Sequence, residues 1–461
     1  MKTLKLILLM AVSIVSCKKQ DEWLDKKSSK SDVVPSTLDD FQAILDNTDI
    51  MNDYYPYLGQ VSADNYTISD PSYNSIKDYK VRNLYSWQSD IYEGSITTST
   101  REWSAPYEII SYTNIALEGL NKISITESNL NRWNNIKGSA LFFRAYAFYN
   151  LAQLFCKPYD STTTAIDLGI PLRLNSDVNV VSVRSTIKGT YDQIINDLLQ
   201  AESLLPDMGQ YKTRPSKAAV YALLAKTYLI MGDYQDSKKY VEMALKIDDT
   251  LIDYNDLSTS KTYSLPNFKT GNPEVLFFSF ANGYSVVNSR ANQIVSSELY
   301  KSYDDGDLRK NIFYRGSFPN ISFTGNQTGN GGNFSGLATN ELYLIKAECL
   351  FRLGNITNGL EFLDRLLRKR WNKKLIYKPC LAKNEDEALK LIISERRKEL
   401  PFTSNLRWED LRRFNKDSRF AIALTKIING KSYTLPPNDP RYVFPIPPIE
   451  ILKSNIQQNI R

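Results

Sequence analysis

With 461 residues the chain can bury a large core, and its length alone allows two or three domains. A net charge of +6 is mild, and no basic run is long enough to suggest a nucleic-acid surface. The sequence holds no histidine, which removes the usual general base, the commonest neutral metal ligand and every Ser-His or Cys-His arrangement. Carboxylate, lysine or tyrosine chemistry stays open, so an enzyme is disfavoured; no catalytic residue, metal or cofactor is expected.

In chain order, Met1-Lys2-Thr3-Leu4-Lys5 precedes an apolar run from Leu6 to Val15 and then Ser16-Cys17. That run is too short to span a bilayer permanently and reads as a signal peptide over residues 1–16. Ile14-Val15-Ser16-Cys17 fits a lipobox, which makes Cys17 the lipid anchor. Residues 17–30 are polar and read as a flexible tether. Cys156, Cys349 and Cys380 show no metal or redox spacing and are expected as buried free thiols.

From Tyr54 to Tyr92 nine aromatics stand among Asp, Asn and Ser with poor helical periodicity, Tyr66, Tyr73, Tyr85 and Trp87 among them. Helical patterns follow through Trp103, Tyr107 and Ile110, through Ala140, Phe143 and Ala147, and through Tyr191, Ile194 and Leu198. The Trp103 and Tyr107 rings are assigned to packing. Tyr221, Ala225, Tyr228, Ser237, Val241 and Ala244 then follow the tetratricopeptide spacing, and Tyr343, Ala347, Leu350, Gly359, Leu363 and Leu366 repeat it. Gly232-Asp233 and Gly354-Asn355 make the turn in each copy. Between the copies, residues 255–340 are irregular: Glu274 to Phe280 is strand-like, and Thr324 to Asn333 is expected as a mobile polar surface loop, without the Gly-Lys-Ser or Gly-Lys-Thr of a phosphate loop.

Glu395-Arg396-Arg397-Lys398-Glu399-Leu400-Pro401-Phe402 and Arg407-Trp408-Glu409-Asp410-Leu411-Arg412-Arg413 close the pattern. Glu395 and Glu399 share a helix face, and Pro401 ends that helix. Fixed Arg forks suit carboxylates, so a structural ion-pair network is the preferred reading over a catalytic carboxylate cluster.

This run, with Leu435-Pro436-Pro437-Asn438-Asp439, Arg441 to Pro447, Asp40 to Asn47, Phe143 to Leu151 and Gly169-Ile170-Pro171-Leu172, resembles the SusD/RagB family of outer-membrane nutrient-binding lipoproteins. Many members carry a Gly-His-Arg-Trp turn where Ser404-Asn405-Leu406-Arg407-Trp408 stands here, which reads as a branch of the family. The resemblance implies a mainly α fold: a right-handed tetratricopeptide-type superhelix with long irregular loops and a few short strands. Residues 31–461 form a single unit on this reading, with an N-terminal part over about 31–215 and a C-terminal part over about 270–461.

The same resemblance implies a non-catalytic cell-surface protein, lipid-anchored in the outer membrane. It binds an oligosaccharide, or alternatively a peptide, and delivers it to a SusC-like TonB-dependent transporter. A sugar ring presents C–H faces edged with hydroxyls, so flat aromatics rimmed by polar side chains suit it. Family sites lie on loops that correspond roughly to the two irregular regions; Tyr66, Tyr73, Tyr85, Trp87, Tyr284, Arg290 and Asn292 are the candidates. Asp64-Asn65-Tyr66 lies where the family often has a short acidic motif. Two other classes stay open: a tetratricopeptide adaptor for a partner's peptide, and a surface hydrolase with two carboxylates across a cleft.

Overall fold

The computed structural model describes residues 34–461 apart from 99, 269–270, 282, 284–291 and 326. Cys17, the signal peptide and the tether lie outside the described residues, as do Tyr284 and Arg290.

Ten helices of eight or more residues form the frame among the described residues: α1 (Leu38–Leu45), α2 (Arg101–Leu120), α3 (Leu130–Phe155), α4 (Ile187–Glu202), α5 (Lys217–Met231), α6 (Tyr234–Ile247), α7 (Thr339–Arg352), α8 (Ile356–Arg368), α9 (Glu385–Glu399) and α10 (Leu406–Phe414). From α2 to α8 each packs against the next in chain order, and α9 lies on α7. No helix among the described residues is long and apolar enough to cross a membrane.

The two repeats form as their spacing predicts. In α5–α6 the turn residue Gly232 has φ +80, and in α7–α8 Gly354 has φ +79, a conformation that costs any residue with a Cβ. Asp233 and Asn355 cap the second helix of each pair through side chains that accept from Asp236 N and Asn358 N. Ala225, Ala244, Ala347 and Leu366 are all buried, and Ser237 Oγ donates to Ala225 O at 2.8 Å, so the small residues let the helices close together. A Cβ on Gly359 would stand 2.5 Å from the Phe351 ring.

Helix α3 is the central pillar, buried on every side from Gly138 to Phe155. Its C-terminal half is covered from the far end of the chain: Phe444 N donates to Leu154 O at 2.9 Å, Asn459 Nδ2 to Phe155 O at 2.9 Å, and Tyr149 Oη to Glu409 Oε2 at 2.9 Å.

Strands among the described residues form six two-stranded antiparallel ribbons. One joins the two irregular regions, pairing Tyr66 with Val295 and Thr67 with Ile294. Short helices occupy the first region at Leu58–Ser62, Asp70–Ser75 and Tyr79–Tyr85, where periodicity over so few residues gives little signal. The expected mobile loop at 324–333 is instead packed in part. Thr328 is buried, Asn272 Nδ2 donates to Gln327 O at 3.0 Å, and a Cβ on Gly329 would meet Pro266 O at 2.3 Å.

Candidate ligand-binding site

The acidic and basic residues of α9 and α10 form buried ion pairs. Glu399 accepts from Arg370 Nη2 at 2.8 Å and Asn340 Nδ2 at 3.0 Å on one oxygen, and from Arg309 Nη1 at 3.3 Å on the other. Glu395 accepts from Arg309 Nη2 at 2.7 Å and Lys398 Nζ at 2.8 Å. Arg370 also reaches Glu274 at 2.7 Å, and Arg396 joins Glu341 and Asp410, each at 2.8 Å. These bonds tie α7, α9, α10 and the Glu274 strand edge into one lattice, which is the structural reading of the motif.

Asp64 belongs to the same kind of arrangement. Arg407 holds both its oxygens, at 2.7 and 2.8 Å, and Arg397 Nη2 stands 3.1 Å away. Burial would raise this carboxyl's pKa, but the two guanidinium groups win and hold it well below the usual carboxylate range.

Tyr66, Tyr85 and Trp87 require a correction. They are core residues, Trp87 only 1 % exposed, and offer no open face for stacking. Their polar atoms meet the chain internally: Tyr66 Oη donates to Val61 O at 2.9 Å, Tyr85 Oη accepts from Ile68 N at 2.9 Å, and Trp87 Nε1 donates to Ser62 O at 2.8 Å. A tyrosine hydroxyl satisfied by backbone makes an amphipathic ring a good core residue. The three rings enclose Lys426, whose Nζ lies 3.9 Å from the Tyr85 ring centre, 4.4 Å from Trp87 and 6.0 Å from Tyr66. That amine also donates to Tyr85 O at 3.0 Å. Trp103, assigned to packing, is buried as well.

Tyr73 is half-buried, its ring 5.9 Å from Tyr85, and Asn292 Oδ1 accepts from Ser72 Oγ at 3.1 Å. These two nominated residues therefore belong to segments that touch each other.

Close to them is a pocket of about 240 Å³ that the sequence reading missed. Its rings are Tyr57, Tyr263, Phe323 and Phe402; its amides are Gln293, Asn330 and Asn333. Phe402 follows the helix-ending Pro401 with φ +57, a turn that delivers its ring onto Phe323 at 4.5 Å in a stacked arrangement. Tyr57 Oη donates to Asn333 Oδ1 at 3.2 Å, and Asn333 Nδ2 to Ala281 O at 3.3 Å, so that amide is held in place. Asn330 Oδ1 accepts from Gly332 N at 2.8 Å, and glycine at 331 lets the loop approach Tyr263, where a Cβ would stand 2.7 Å from Oη. Tyr263 and Phe323 are half-buried, leaving part of each ring at the mouth, whereas Tyr57 and Phe402 buttress from behind. Ring faces beside fixed amides suit a sugar's C–H face and hydroxyls. The two irregular regions of the sequence pointed to this neighbourhood but not to these residues, because its walls come from five separate segments.

Among the described residues no three His, Cys, Asp or Glu side chains gather as a metal set. Cys156 and Cys349 are buried free thiols and Cys380 is half-buried; burial pushes all three up to about 12, so none is a reactive thiolate.

Comparison with known proteins agrees with this architecture. A family model described as "Starch-binding associating with outer membrane" matches residues 22–229, and one described as "SusD family" matches residues 325–460. A SusD-like protein P2 from Formosa agariphila is 31 % identical over 144 residues, which is 31 % of this chain and 26 % of that relative; the match thus spans about a quarter of the relative's length. A SusD superfamily structure from Bacteroides thetaiotaomicron superposes with a TM-score of 0.72 at 22 % identity, covering 92 % of this chain and all (100 %) of that one. A putative sugar binding protein from Bacteroides vulgatus gives 0.74 at 21 % identity, covering 93 % and 99 %. A laminarin binding SusD-like protein gives 0.64 at 17 % identity, covering 91 % and 97 %. At these identities the structural likeness speaks for the fold.

Proposed function

The chain belongs to the SusD/RagB family, and from that premise we propose that it is a non-catalytic binding protein that captures an oligosaccharide at the Tyr263–Phe323 pocket and passes it to a SusC-like TonB-dependent transporter. The observation that carries the proposal is the pairing of half-open aromatic rings with amides fixed by hydrogen bonds, on the segments that join the two irregular regions. Tyr73, Asn292, Tyr284 and Arg290 are proposed as further ligand contacts, the first two on segments joined by the Ser72–Asn292 hydrogen bond. The sugar-binding and laminarin-binding descriptions of two structural neighbours point to the same ligand class. Family members are binding proteins, and here Glu395 and Glu399 are held in ion pairs that leave neither poised as a hydrolase acid.

An adaptor would need an open concave groove along its repeats. Helix α5 is instead buried from Ala218 to Thr227, and Lys226 is turned inward to Glu409 at 3.4 Å and Glu341 at 3.7 Å. That packing argues against the adaptor.

Titration with a panel of oligosaccharides that includes laminarin fragments tests the reading, with a mixed peptide pool in parallel. Tyr263→Ala should weaken the best saccharide at least ~10-fold with the melting temperature unchanged, since the ring is half-exposed. Peptide binding without saccharide binding would reverse the ligand assignment. Anchoring is tested separately: Cys17→Ala should lose fatty-acid labelling and leave the membrane fraction, and affinity purification of the wild type from native membranes should bring the transporter with it.

A further inference from the structure

A second pocket, of about 330 Å³, opens between α9, α10 and the short helix Ser297–Lys301. Its floor is apolar, built on Leu299, Leu411 and Phe414; its cations are exposed Lys390, Arg397, buried Arg407, and Lys398 and Arg419, the last two paired with carboxylates outside the lining. The one carboxylate in its lining is Glu298, whose side chain is 80 % exposed.

The charges here do not balance as they do in the neighbouring lattice. Arg397 and Arg407 share the single carboxylate of Asp64, which is half-buried, Arg407 through Nε and Nη2. A guanidinium has three nitrogens, so Arg407 keeps Nη1 for another acceptor. Arg397 reaches Glu298 at 2.9 Å, a bond to an exposed acid that water weakens and a ligand carboxylate can displace. Lys390 adds a further cation from the exposed side of α9. Two fixed guanidinium groups sharing one acid, beside an apolar lining, form a receptor for an anion with a nonpolar body.

We propose that this pocket binds a small organic acid, its carboxylate on Arg407 and Arg397 and its ring or chain on Leu299 and Phe414. The site is separate from the Tyr263–Phe323 pocket and does not depend on what that pocket takes.

Calorimetric titration with phenylacetate and with the neutral phenylacetamide tests it. Phenylacetate should bind at least ~10-fold more tightly than the amide, and raising salt from about 50 to about 500 mM should weaken it. Lys390→Glu and Ser394→Asp place negative charge on exposed positions of the pocket and should each weaken phenylacetate at least ~10-fold with unchanged melting temperature. Tyr263→Ala should leave that affinity as it is. Equal affinity for the acid and the amide, or indifference to both charge variants, overturns the proposal. Full displacement of phenylacetate by equimolar inorganic sulfate overturns the organic-acid assignment, because sulfate makes no use of the floor.

Discussion

The ion-pair lattice around α9 and the aromatic enclosure of Lys426 solve one problem in two ways. In the lattice Arg309, Arg370 and Arg396 are each buried against two or more carboxylates at hydrogen-bonding distance. Lys426, 7 % exposed, has ring faces and backbone carbonyls around it. Carboxylates offset the loss of water with full opposite charges, whereas rings and carbonyls offer partial ones. Burial accordingly pushes the Lys426 amine down to about 7, with Asp64 pulling the other way, while Arg370 and Arg396 are held above the ordinary guanidinium value despite equal burial. The lesson concerns what each region tolerates: the lattice fails when one partner is removed, and the enclosure gains from losing its charge.

The largest expected effect breaks the lattice. Glu399→Ala removes the carboxylate that Arg309 and Arg370 share, leaving Arg370 with Glu274 alone and Arg309 with Asp307 and Glu395, and should cost about 3–5 kcal/mol in denaturant unfolding. A loss under about 1 kcal/mol would show that the arginines find other acceptors. Trp87→Ala attacks the enclosure through its wall and should cost about 3–5 kcal/mol by opening a cavity, comparable to Trp103→Ala. If Trp87→Ala melts like wild type, the ring is not in the core.

Smaller effects distinguish charge from shape. Lys426→Met keeps the stem and removes the cation, and at pH 7 should leave stability unchanged or raise it by about 1 kcal/mol; a loss of 2 kcal/mol or more would mean that the rings outweigh burial. The pH dependence supplies the finest test. With the folded amine at about 7 and a free lysine near 10.4, the unfolded chain holds a proton that the folded one lacks throughout the window between them. Wild-type stability should therefore rise from pH 7 to about 10, on the order of 1–3 kcal/mol relative to Lys426→Met, and be level with it below pH 6 in slope. A flat difference across the window would return Lys426 to an ordinary charged state.

The helical frame was legible because its signal is local. Ala225, Gly232 and Ser237, and likewise Ala347, Gly354 and Gly359, sit at spacings that only close helix packing requires. The charged run of α9 was legible for a similar reason, since so many paired residue types in one helix need partners. The candidate site was not, because Tyr57, Tyr263, Asn330 and Phe402 meet only in three dimensions and share no spacing. Composition even misled: Tyr66, Tyr85 and Trp87 stand among Asp and Asn, yet a ring whose polar atom reaches a backbone group is as much at home in the core as at a wet surface.

The cover laid over α3 by the far end of the chain also sets an order of events. Leu154 and Phe155 carbonyls and the Tyr149 hydroxyl receive their partners from residues 409–459, several hundred positions later. During synthesis the first half of the molecule emerges with its main helix lacking one wall, and loop-closure entropy has to be overcome before that wall arrives. Completion of the core thus waits for residues 409–459, and a chain stopped short of residue 409 leaves its central helix uncovered, a ready target for proteolysis or aggregation.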